Sequence, residues 1–239
     1  MAETPAKKPR SRKAKEPAPP RRSLRRRMLR WTGRILGGIA AFYAVLILLF
    51  SFAPPPINLY QLSETVRLGG IDKDWVDIEE IAPVMARAVV AAEDANFCNH
   101  WGFDMTAIRA AVAEGGNRGA STLSQQVTKN VFLWHGRSWL RKAMEGALTP
   151  AVELVWSKRR IMEVYLNSIE MGDGVYGAQA ATQYWYRKDC SSLTKTEAAG
   201  IAAILPNPRK FKASNSSAFI NARKARIVKR MGQVGELKY

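Results

Sequence analysis

The sequence contains little cysteine or histidine, with two of each among its 239 residues. Two cysteines exclude a disulfide-dense scaffold and a zinc site with four cysteine ligands. Acidic residues are also scarce: 20 of them accompany 37 Lys and Arg, which gives a net charge of +17. Apolar residues make up 47% of the chain, which excludes wholesale disorder and suits one domain of ordinary size with an appendage.

The excess positive charge is concentrated at the N-terminus. Residues 1–53 contain 13 basic and two acidic residues, whereas residues 54–239 carry a net charge of only +6. Residues 1–20 are rich in Lys, Arg, Pro and Ala and contain no aromatic residue, a composition typical of disorder. We therefore predict a basic, disordered tail over residues 1–34.

A run of 19 residues without a charged side chain, residues 35–53, follows the last arginine of this tail. A helix of that length extends about 28 Å, close to the hydrocarbon thickness of a bilayer, and the run has no polar stripe. We predict a transmembrane helix here, with the basic tail cytoplasmic and the chain after Pro54 outside. Residues 51–53 leave cleavage as a signal peptide open, although Pro54 disfavours it. A basic tail can bind nucleic acid, but orientation and anionic lipid headgroups explain it more simply, so we expect no nucleic-acid partner.

The rest of the chain is predicted to form a linker, residues 54–80, and a mainly helical domain, residues 81–239. Apolar spacing and capping residues indicate where the helices lie. They are expected at 81–94, from Ser121 as N-cap to about 131, from Ser138 to about 167 with a kink or break at Pro150, and at 178–186, 196–205 and 218–231. A strand is predicted at 59–68 and a Gly-rich loop at 114–120.

A first cluster of candidate functional residues closes the apolar segment 81–94. Glu93 and Asp94 end that segment, and Phe97 and His100 follow closely. A carboxylate at the mouth of an apolar element suits a general base, because desolvation raises its pKa towards neutrality. The alternative is a helix C-terminus with solvated acids.

A second cluster lies on the segment that follows Ser121. Thr122, Gln125, Gln126 and Lys129 fall on one helical face. Hydroxyl, amide and ammonium groups form a donor-rich set that suits sugar hydroxyls and phosphate oxygens, and a helix N-terminus adds affinity for anions. A solvated face is the alternative.

A third cluster consists of Arg141, Lys142 and Glu145. On a helix Glu145 can reach either cation, because it lies four and three residues after them. The cluster is either a cationic clamp for phosphate beside a second carboxylate or an ordinary surface salt bridge. The later run of charges at residues 158–160 is interpreted as a solvated face or a membrane-surface contact.

The three clusters lie within motifs that resemble those of the peptidoglycan glycosyltransferases. Residues 93–102 (EDANFCNHWG) resemble E-D-x-x-F-x-x-H-x-G, residues 119–130 (GASTLSQQVTKN) resemble G-x-S-T-L-[ST]-Q-Q-x-x-K-N, and residues 141–145 (RKAME) resemble R-K-x-x-E. Residues 158–167, 174–178 and 205–208 resemble later landmarks in the family's order, over about residues 57–231. A single membrane anchor without a transpeptidase domain is typical of the monofunctional members.

The resemblance implies a lysozyme-like, two-lobed fold and a defined reaction. Its substrate is lipid II, a disaccharide-pentapeptide on undecaprenyl diphosphate, which extends a growing β-1,4 glycan chain with inversion and release of the lipid diphosphate. It implies Glu93 as the general base for the acceptor 4-hydroxyl and Glu145 as a second essential carboxylate near the donor diphosphate. The substrate-binding residues that it implies are Asp94, Phe97, His100, Ser121, Thr122, Gln125, Gln126, Lys129, Asn130, Arg141 and Lys142.

Cofactors and partners are less well defined by the sequence. A divalent cation, Mg²⁺ or Mn²⁺, could assist the diphosphate, but the sequence shows no certain ligand set. Expected partners are membrane lipids and other cell-wall synthesis or division proteins, and the expected location is the cell inner membrane with the catalytic domain in the periplasm. A lytic peptidoglycan glycosidase and a non-catalytic cell-wall scaffold are the alternative functions.

Two further features concern the outer domain. Whether Cys98 and Cys190 form a disulfide is open, because their separation in space cannot be deduced from sequence. Large apolar residues crowd the stretch from Val131 to Leu140. We expect part of that stretch, with Trp101 and Phe103, to enter the outer leaflet, since aromatic residues flanked by basic ones suit a membrane interface.

Overall fold

The computed structural model describes residues 24–115, 119–136 and 138–237. The predicted disordered tail lies outside the described residues as far as position 23, and its last part, residues 24–34, is helical, so the prediction of disorder is wrong there. Positions 116–118 of the predicted Gly-rich loop and Arg137 also lie outside the described residues. The chain divides into two compact units, residues 1–42 and residues 43–239.

One long helix, α1 (Leu24–Leu49), provides the described part of the first unit. Its 26 residues extend about 39 Å, and the helix is long and apolar enough to cross a membrane. Only 6% of its most apolar stretch is buried against the rest of the protein. Five arginines lie in its first half, at positions 25, 26, 27, 30 and 34. The charge-free run at residues 35–53 lies in α1 as far as Leu49, and residues 50–53 form a turn. This helix fits the predicted single-pass anchor.

The last turns of α1 belong to the second unit and pack on it. Ile47 is buried, and its carbonyl oxygen accepts a hydrogen bond of 2.7 Å from the Trp156 indole nitrogen. Arg160 donates to the carbonyl oxygens of Phe50, at 3.1 and 3.2 Å, and of Ala53, at 2.7 Å. Ile47 lies in the last turn of α1, whereas Phe50 and Ala53 lie in the turn that follows, so these bonds hold both the end of the helix and the segment after it. Arg160 was predicted to lie on a solvated face or to contact the membrane surface; the solvated face is wrong, because Arg160 ties the end of α1 to the domain.

The second unit is built mainly from helices. They are α2 (Leu59–Leu68), α3 (Pro83–Glu93), α4 (Met105–Ala113), α5 (Leu123–Phe132), α6 (Trp139–Val155), α7 (Lys158–Ser168), α8 (Ala178–Tyr186), α9 (Lys195–Ile204) and α10 (Ala218–Val234). Two short 3₁₀ turns, Phe97–Asn99 and Cys190–Ser192, lie between them. The prediction of a mainly helical fold is confirmed, and the architecture agrees with the lysozyme-like domain that the resemblance implied.

Three short strands form a single small sheet in the described part of the chain. They are β1 (Asp72–Lys73), β2 (Glu170–Gly172) and β3 (Val175–Tyr176), in the order β1-β3-β2. Strand β1 is parallel to β3, and β2 is antiparallel to it with an irregular register. Gly174 makes the turn between β2 and β3 with a φ of +72°, a conformation that favours glycine.

The strand predicted at residues 59–68 is wrong, because this segment is helix α2. Asn58 caps the helix: its Oδ1 accepts from the Gln61 backbone N–H at 2.8 Å, and Gln61 Oε1 accepts from the Asn58 N–H at 3.2 Å. Gly69 ends the helix in the left-handed region, with a φ of +76°. Reciprocal capping and a glycine stop therefore decide the conformation here, and the weak alternation of apolar residues does not.

Of the kink or break predicted at Pro150, the break is wrong, because α6 continues through this residue to Val155. The kink stays a prediction. A proline removes the hydrogen bond to the carbonyl four residues earlier, here that of Gly146, and crowds that turn. The buried residues on the turns beside the proline, Thr149, Val152 and Glu153, hold the helix by packing. The chain breaks instead at Trp156, and Ser157 caps α7.

Two groups of helices form the core around the candidate site. Helix α3 packs against α9 and α10, while α5 packs against α6 and α7. Met85, Ala88 and Val89 of α3 are fully buried. This packing fixes the axis of α3, and its last residue, Glu93, consequently lies at the end of a rigid apolar element.

The two cysteines do not form a disulfide with each other. Cys190 is buried, and its thiol donates to the Glu80 carbonyl oxygen at 3.5 Å. Burial raises the pKa of the Cys190 thiol to about 11, so the group is neutral at physiological pH.

Candidate active site

Glu93 lies where α3 meets α5 and α10. Gln126 Nε2 donates to its Oε2 at 3.3 Å, and Arg223 Nη2 lies 3.4 Å from its Oε1. The Glu93 side chain is 17% exposed. Burial raises the pKa of this carboxyl group above its usual value, and the Gln126 hydrogen bond and the Arg223 charge lower it only in part. A carboxylate with a raised pKa is a stronger base than a solvated one.

Sequence reasoning missed Arg223, which follows Glu93 by 130 positions on α10. The sequence does contain a pattern that could have indicated it. Arg223, Arg226 and Arg230 are spaced at i, i+3 and i+7, which places three cations on one face of a predicted helix. Only the packing of α10 on α3 shows that this face reaches Glu93.

Asp94 connects the first motif to α5. His100 Nε2 lies 3.0 Å from both carboxylate oxygens of Asp94, and Asp94 Oδ2 accepts a hydrogen bond of 3.0 Å from the Leu123 backbone N–H. A carboxylate is favourable at the N-terminus of a helix, as here. Phe97 is fully buried, meets the His100 ring edge-on and lies 4.6 Å from the Lys158 ammonium. These contacts hold Glu93 in a fixed position relative to α5.

Thr122 is the N-cap of α5, and the prediction that Ser121 fills this role is wrong. Thr122 Oγ1 accepts from the Gln125 N–H at 3.2 Å, and Gln125 Oε1 accepts from the Thr122 N–H at 3.1 Å. The Thr122 hydroxyl also donates to the Gly102 carbonyl at 2.6 Å. Thr122 and Gln125 are buried in these contacts, whereas Ser121 is exposed and lines a cavity of about 340 Å³ together with Glu93.

Gly102 of the first motif has a φ of +77°, and a Cβ there would lie 2.7 Å from Thr149 Cγ2. We expect Gly102→Ala to lower the free energy of unfolding by about 1–3 kcal/mol, because it adds backbone strain and overlap with α6. Denaturant unfolding measures the change. Gly119→Ala is the control, since a Cβ at Gly119 meets nothing within 4 Å, and it should stay within about 0.5 kcal/mol. Equal stability of both variants would contradict the expectation.

Gln126 and Lys129 lie one turn apart on α5 and are both half-buried. The Tyr165 hydroxyl donates to Gln126 Oε1 at 3.3 Å, which directs the amide nitrogen of Gln126 towards Glu93. The ammonium group of Lys129 forms no hydrogen bond or ion pair with any residue that the structure describes. Burial lowers the pKa of Lys129, and the charge of Glu145 raises it in part. Lys129 is therefore a partly desolvated cation suited to an anionic ligand.

Asn130, the next predicted site residue, is buried, and both its side chain and its backbone carbonyl are hydrogen-bonded. Its Nδ2 donates to the Gln126 carbonyl at 2.7 Å, and its own carbonyl accepts from Asn58 Nδ2 at 2.5 Å. These bonds connect the start of α2 to α5. The predicted contact of Asn130 with substrate stays a prediction.

Glu145 on α6 binds both of the cations that precede it, as its spacing predicted. Arg141 Nη1 lies 2.6 Å from Glu145 Oε2, and Lys142 Nζ bonds to Oε1. The Glu145 side chain is 4% exposed, and Arg141 Nε also donates to the Gly136 carbonyl at 3.0 Å. Lys129 interacts electrostatically with all three residues. Three cations around one carboxylate leave an excess of positive charge, which suits a diphosphate.

A buried ion pair between α6 and α7 contacts α5. Glu153 of α6 accepts from the Ser124 hydroxyl and from Lys158 Nζ, the latter at 2.7 Å. Lys158 was predicted to lie on a solvated face or to contact the membrane surface, but it ties α7 to α6 through Glu153, which also binds Ser124 of α5. The reason is that Glu153 is buried within the core, and a buried carboxylate needs a charged partner.

The fold and the site together define a helical enzyme that has an N-terminal helix long and apolar enough to cross a membrane, a buried carboxylate and a cluster of cations. A family model described as Transglycosylase matches residues 61–232, and the chain belongs to this family. The family predicted from the motifs is thus confirmed.

Relatives of known name agree with this assignment. A biosynthetic peptidoglycan transglycosylase of Jannaschia sp. (strain CCS1) is 52% identical over 214 residues, and the match covers 90% of each chain. Proteins of the same name from Escherichia coli (strain ATCC 8739) and Salmonella agona (strain SL483) are 47% identical over 214 residues, covering 84% of this chain and 88% of theirs.

Proposed function

We propose that the chain polymerises lipid II into β-1,4 glycan strands, with inversion and with release of undecaprenyl diphosphate. Its family and the names of its relatives support this class of reaction. The observation that carries the proposal is the juxtaposition, along α5, of two unlike groups. Gln126 contacts the desolvated carboxylate of Glu93, and one turn further the ammonium of Lys129 lies beside the Arg141–Glu145 pair.

In the proposed reaction Glu93 accepts the proton of the acceptor 4-hydroxyl. The hydroxyl oxygen forms a bond to C1 of the donor sugar, and the bond from C1 to the diphosphate oxygen breaks with its electron pair on the diphosphate. Gln126 and Arg223 orient the carboxylate of Glu93. Inversion requires attack from the face opposite the leaving group, which agrees with a base on α3 and a clamp on α5 and α6.

The leaving diphosphate needs charge neutralisation more than it needs a general acid, because it is already a good leaving group. Lys129, Arg141 and Lys142 supply three positive charges for this purpose. Glu145 orders Arg141 and Lys142, since each of its oxygens binds one of them. We propose that Glu145 acts by positioning these cations.

The residues at the clamp do not fit a divalent metal ion. Mg²⁺ prefers oxygen ligands and keeps several waters, but both oxygens of Glu145 are already bonded to cations. A second cluster consists of three carboxylates whose oxygens lie close enough together to hold a metal ion: Glu64, Glu170 and Asp173. Arg209 lies 2.8 Å from Glu64 and 2.9 Å from Glu170, so these carboxylates are also engaged. We derive no step through a metal.

We further propose that α1 crosses the cell inner membrane once, with its N-terminus cytoplasmic and the second unit in the periplasm. The five arginines in the first half of α1 support this orientation, since basic residues remain on the cytoplasmic side. Other cell-wall synthesis or division proteins stay predicted partners.

The stretch between Val131 and Leu140 divides into a buried and an exposed part. Phe132 and Leu133 are buried in the core, whereas Trp139 is 93% and Leu140 65% exposed, beside the cationic clamp. We propose that Trp139 and Leu140, with the exposed Trp101, insert into the outer leaflet.

We expect Trp139→Ser combined with Leu140→Ser to weaken binding of residues 43–239 to lipid vesicles about tenfold or more, because burying each side chain contributes about 1.5–3 kcal/mol. Co-sedimentation with vesicles measures the partition coefficient. Phe219→Ser, which changes an exposed aromatic residue on α10, is the matched control and should leave binding unchanged. Equal partitioning of the double variant and the parent chain would exclude the insertion.

The two alternative functions make different demands on the site. A lytic glycosidase needs a protonated acid at the leaving sugar oxygen and has no use for a clamp of three cations. A scaffold needs neither group. The partly buried ammonium of Lys129, which has no hydrogen bond or ion pair within the described part of the chain, favours the polymerase over both.

A single assay separates the three functions. The full chain, in detergent or in liposomes, is incubated with labelled lipid II, and long glycan chains are the expected product. Cleavage of finished peptidoglycan without polymer would favour the glycosidase, and the absence of any turnover would favour the scaffold.

A further inference from the structure

Helix α10 carries a row of arginines that begins at Glu93 and extends away from it. Arg223, Arg226 and Arg230 line a cavity of about 180 Å³ together with Ala92 and Ile227. Arg230 also lines the larger cavity that contains Glu93. Along the helix axis the three positions are separated by about 4.5 and 6 Å. The sequence motifs that define the active site include none of these residues.

The charge of this row is largely uncompensated. Arg223 pairs with Glu93, and its Nε is buried without a hydrogen-bond partner. Arg226 and Arg230 are exposed, and neither forms an ion pair with a residue in the described ranges. Guanidinium groups without a carboxylate partner, arranged around a cavity beside the base, suit the oxyanions of a bound substrate.

The oxyanion that fits this row is a carboxylate. Asp94 and Asp104 line the larger cavity with Glu93 and Arg230. These three acids repel any anion, but they repel a carboxylate, which has a single charge, less than a diphosphate, which has more than one. The clamp around Lys129 already provides a site for diphosphate. An extended peptide advances about 3.3–3.6 Å per residue, so carboxylates two residues apart are separated by about 6.6–7.2 Å, close to the spacing of about 6 Å between Arg226 and Arg230.

We propose that Arg226 and Arg230 bind carboxylates of the stem peptide on the acceptor lipid II. The inference rests on the proposed function, because Glu93 identifies the acceptor as the substrate next to α10. The acceptor disaccharide carries a pentapeptide, and a pentapeptide ends in a carboxylate. The row would then fix the acceptor so that its 4-hydroxyl meets Glu93, and would select acceptors with an intact, charged peptide.

The kinetic test uses the full chain in liposomes and the double variant Arg226→Gln with Arg230→Gln. We expect KM for lipid II to rise about tenfold and kcat to change by less than twofold. Lys224→Gln with Lys229→Gln, on the same helix but lining neither cavity, is the control and should behave as the parent chain. Thermal unfolding should be equal in all three proteins, since the changed side chains of the double variant are exposed.

The chemical arm uses lipid II whose stem-peptide carboxylates are amidated. With the parent chain, KM for amidated lipid II should exceed KM for ordinary lipid II by the same factor that the arginine substitutions cause. The double variant should have the same KM for amidated and ordinary lipid II. If the double variant lost affinity equally for both substrates while the parent chain did not discriminate, the arginines would bind the diphosphate and the proposal would be wrong.

A binding measurement separates this proposal from the proposed function. The probe is the soluble disaccharide-pentapeptide without lipid or diphosphate, titrated into the full chain in detergent. The parent chain should bind it about tenfold more tightly than the double variant does, and the amidated probe should bind equally weakly to both. Equal binding of the charged probe to both proteins would overturn the peptide site even if polymerisation proceeds. Discrimination without polymerisation would instead overturn the proposed function.

Discussion

Replacing Glu93 with glutamine is expected to reduce kcat for glycan polymerisation by about 10²–10⁴-fold, the usual contribution of a general base. Glutamine keeps the shape of the side chain and can still accept the hydrogen bond from Gln126, but it cannot accept the acceptor proton. KM for lipid II should change little, because the binding groups are untouched. Initial rates with saturating labelled lipid II measure the loss. A rate within threefold of that of the parent chain would remove Glu93 from this role.

The stability of the same variant distinguishes loss of the base from loss of the fold. Burial raises the pKa of Glu93 in the folded state above its unfolded value, so the folded state binds this proton more tightly. Stability contributed by this group is present at low pH and is lost as pH rises through the folded pKa. Glu93→Gln should therefore unfold at the same temperature as the parent chain or higher at neutral pH. If Glu93→Gln melted at a clearly lower temperature than the parent chain, its lost activity would be explained by loss of the fold.

The raised pKa of Glu93 also predicts the pH dependence of the reaction. The base must be ionised, so kcat/KM should fall on the acid side at a pH above the usual range of a glutamate. Arg223→Gln removes a charge that lowers the pKa of Glu93, and it should move this acid limb to higher pH. Lys224→Gln, one residue further along α10, should leave the limb in place. An acid limb unchanged by Arg223→Gln would show that Arg223 does not act on the base.

The site was predictable from the sequence where its members lie within one segment. Arg141, Lys142 and Glu145 are within one turn of each other, so helical spacing alone predicted the contacts that the structure shows. Arg223 was not predictable in this way. Its contact with Glu93 depends on how α10 packs against α3, and helical periodicity does not indicate which elements pack together.

Local capping explains two of the errors in the predicted fold. The strand expected at residues 59–68 is a helix because Asn58 and Gln61 cap each other, and the N-cap of α5 is Thr122 because Gln125 returns its hydrogen bond. Both are capping boxes, which depend on residues three positions apart. The error at Pro150 differs, because tertiary packing of α6 holds a turn whose local hydrogen bond the proline removes.

Replacing Lys129 with methionine is expected to reduce kcat/KM for lipid II by about 10²–10³-fold, the usual loss when one donor to a developing oxyanion is removed. Methionine has a similar length and no charge, so the variant removes the ammonium group while keeping the packing on α5. The Lys129 ammonium forms no hydrogen bond or ion pair among the residues that the structure describes, and its charge interacts electrostatically with Glu145, Arg141 and Lys142.

The burial of Lys129 predicts that the loss of activity occurs without a loss of stability. Burial lowers the pKa of Lys129 below its unfolded value, so the charged side chain disfavours the folded state, increasingly as pH falls through the unfolded pKa towards the folded one. Lys129→Met should thus be at least as stable as the parent chain at pH 7. Lys195→Met, which changes an exposed lysine at the start of α9, is the matched control for both rate and melting temperature.

Product inhibition shows which group Lys129 contacts. If its ammonium binds the leaving diphosphate, undecaprenyl diphosphate should inhibit Lys129→Met much more weakly than it inhibits the parent chain, and Lys129→Arg, which keeps the charge, should recover part of that inhibition. Glu93→Gln should retain full inhibition, because it changes the base and leaves the clamp intact. Undiminished inhibition of Lys129→Met would place the diphosphate elsewhere, and the excess charge around Glu145 would then need another ligand.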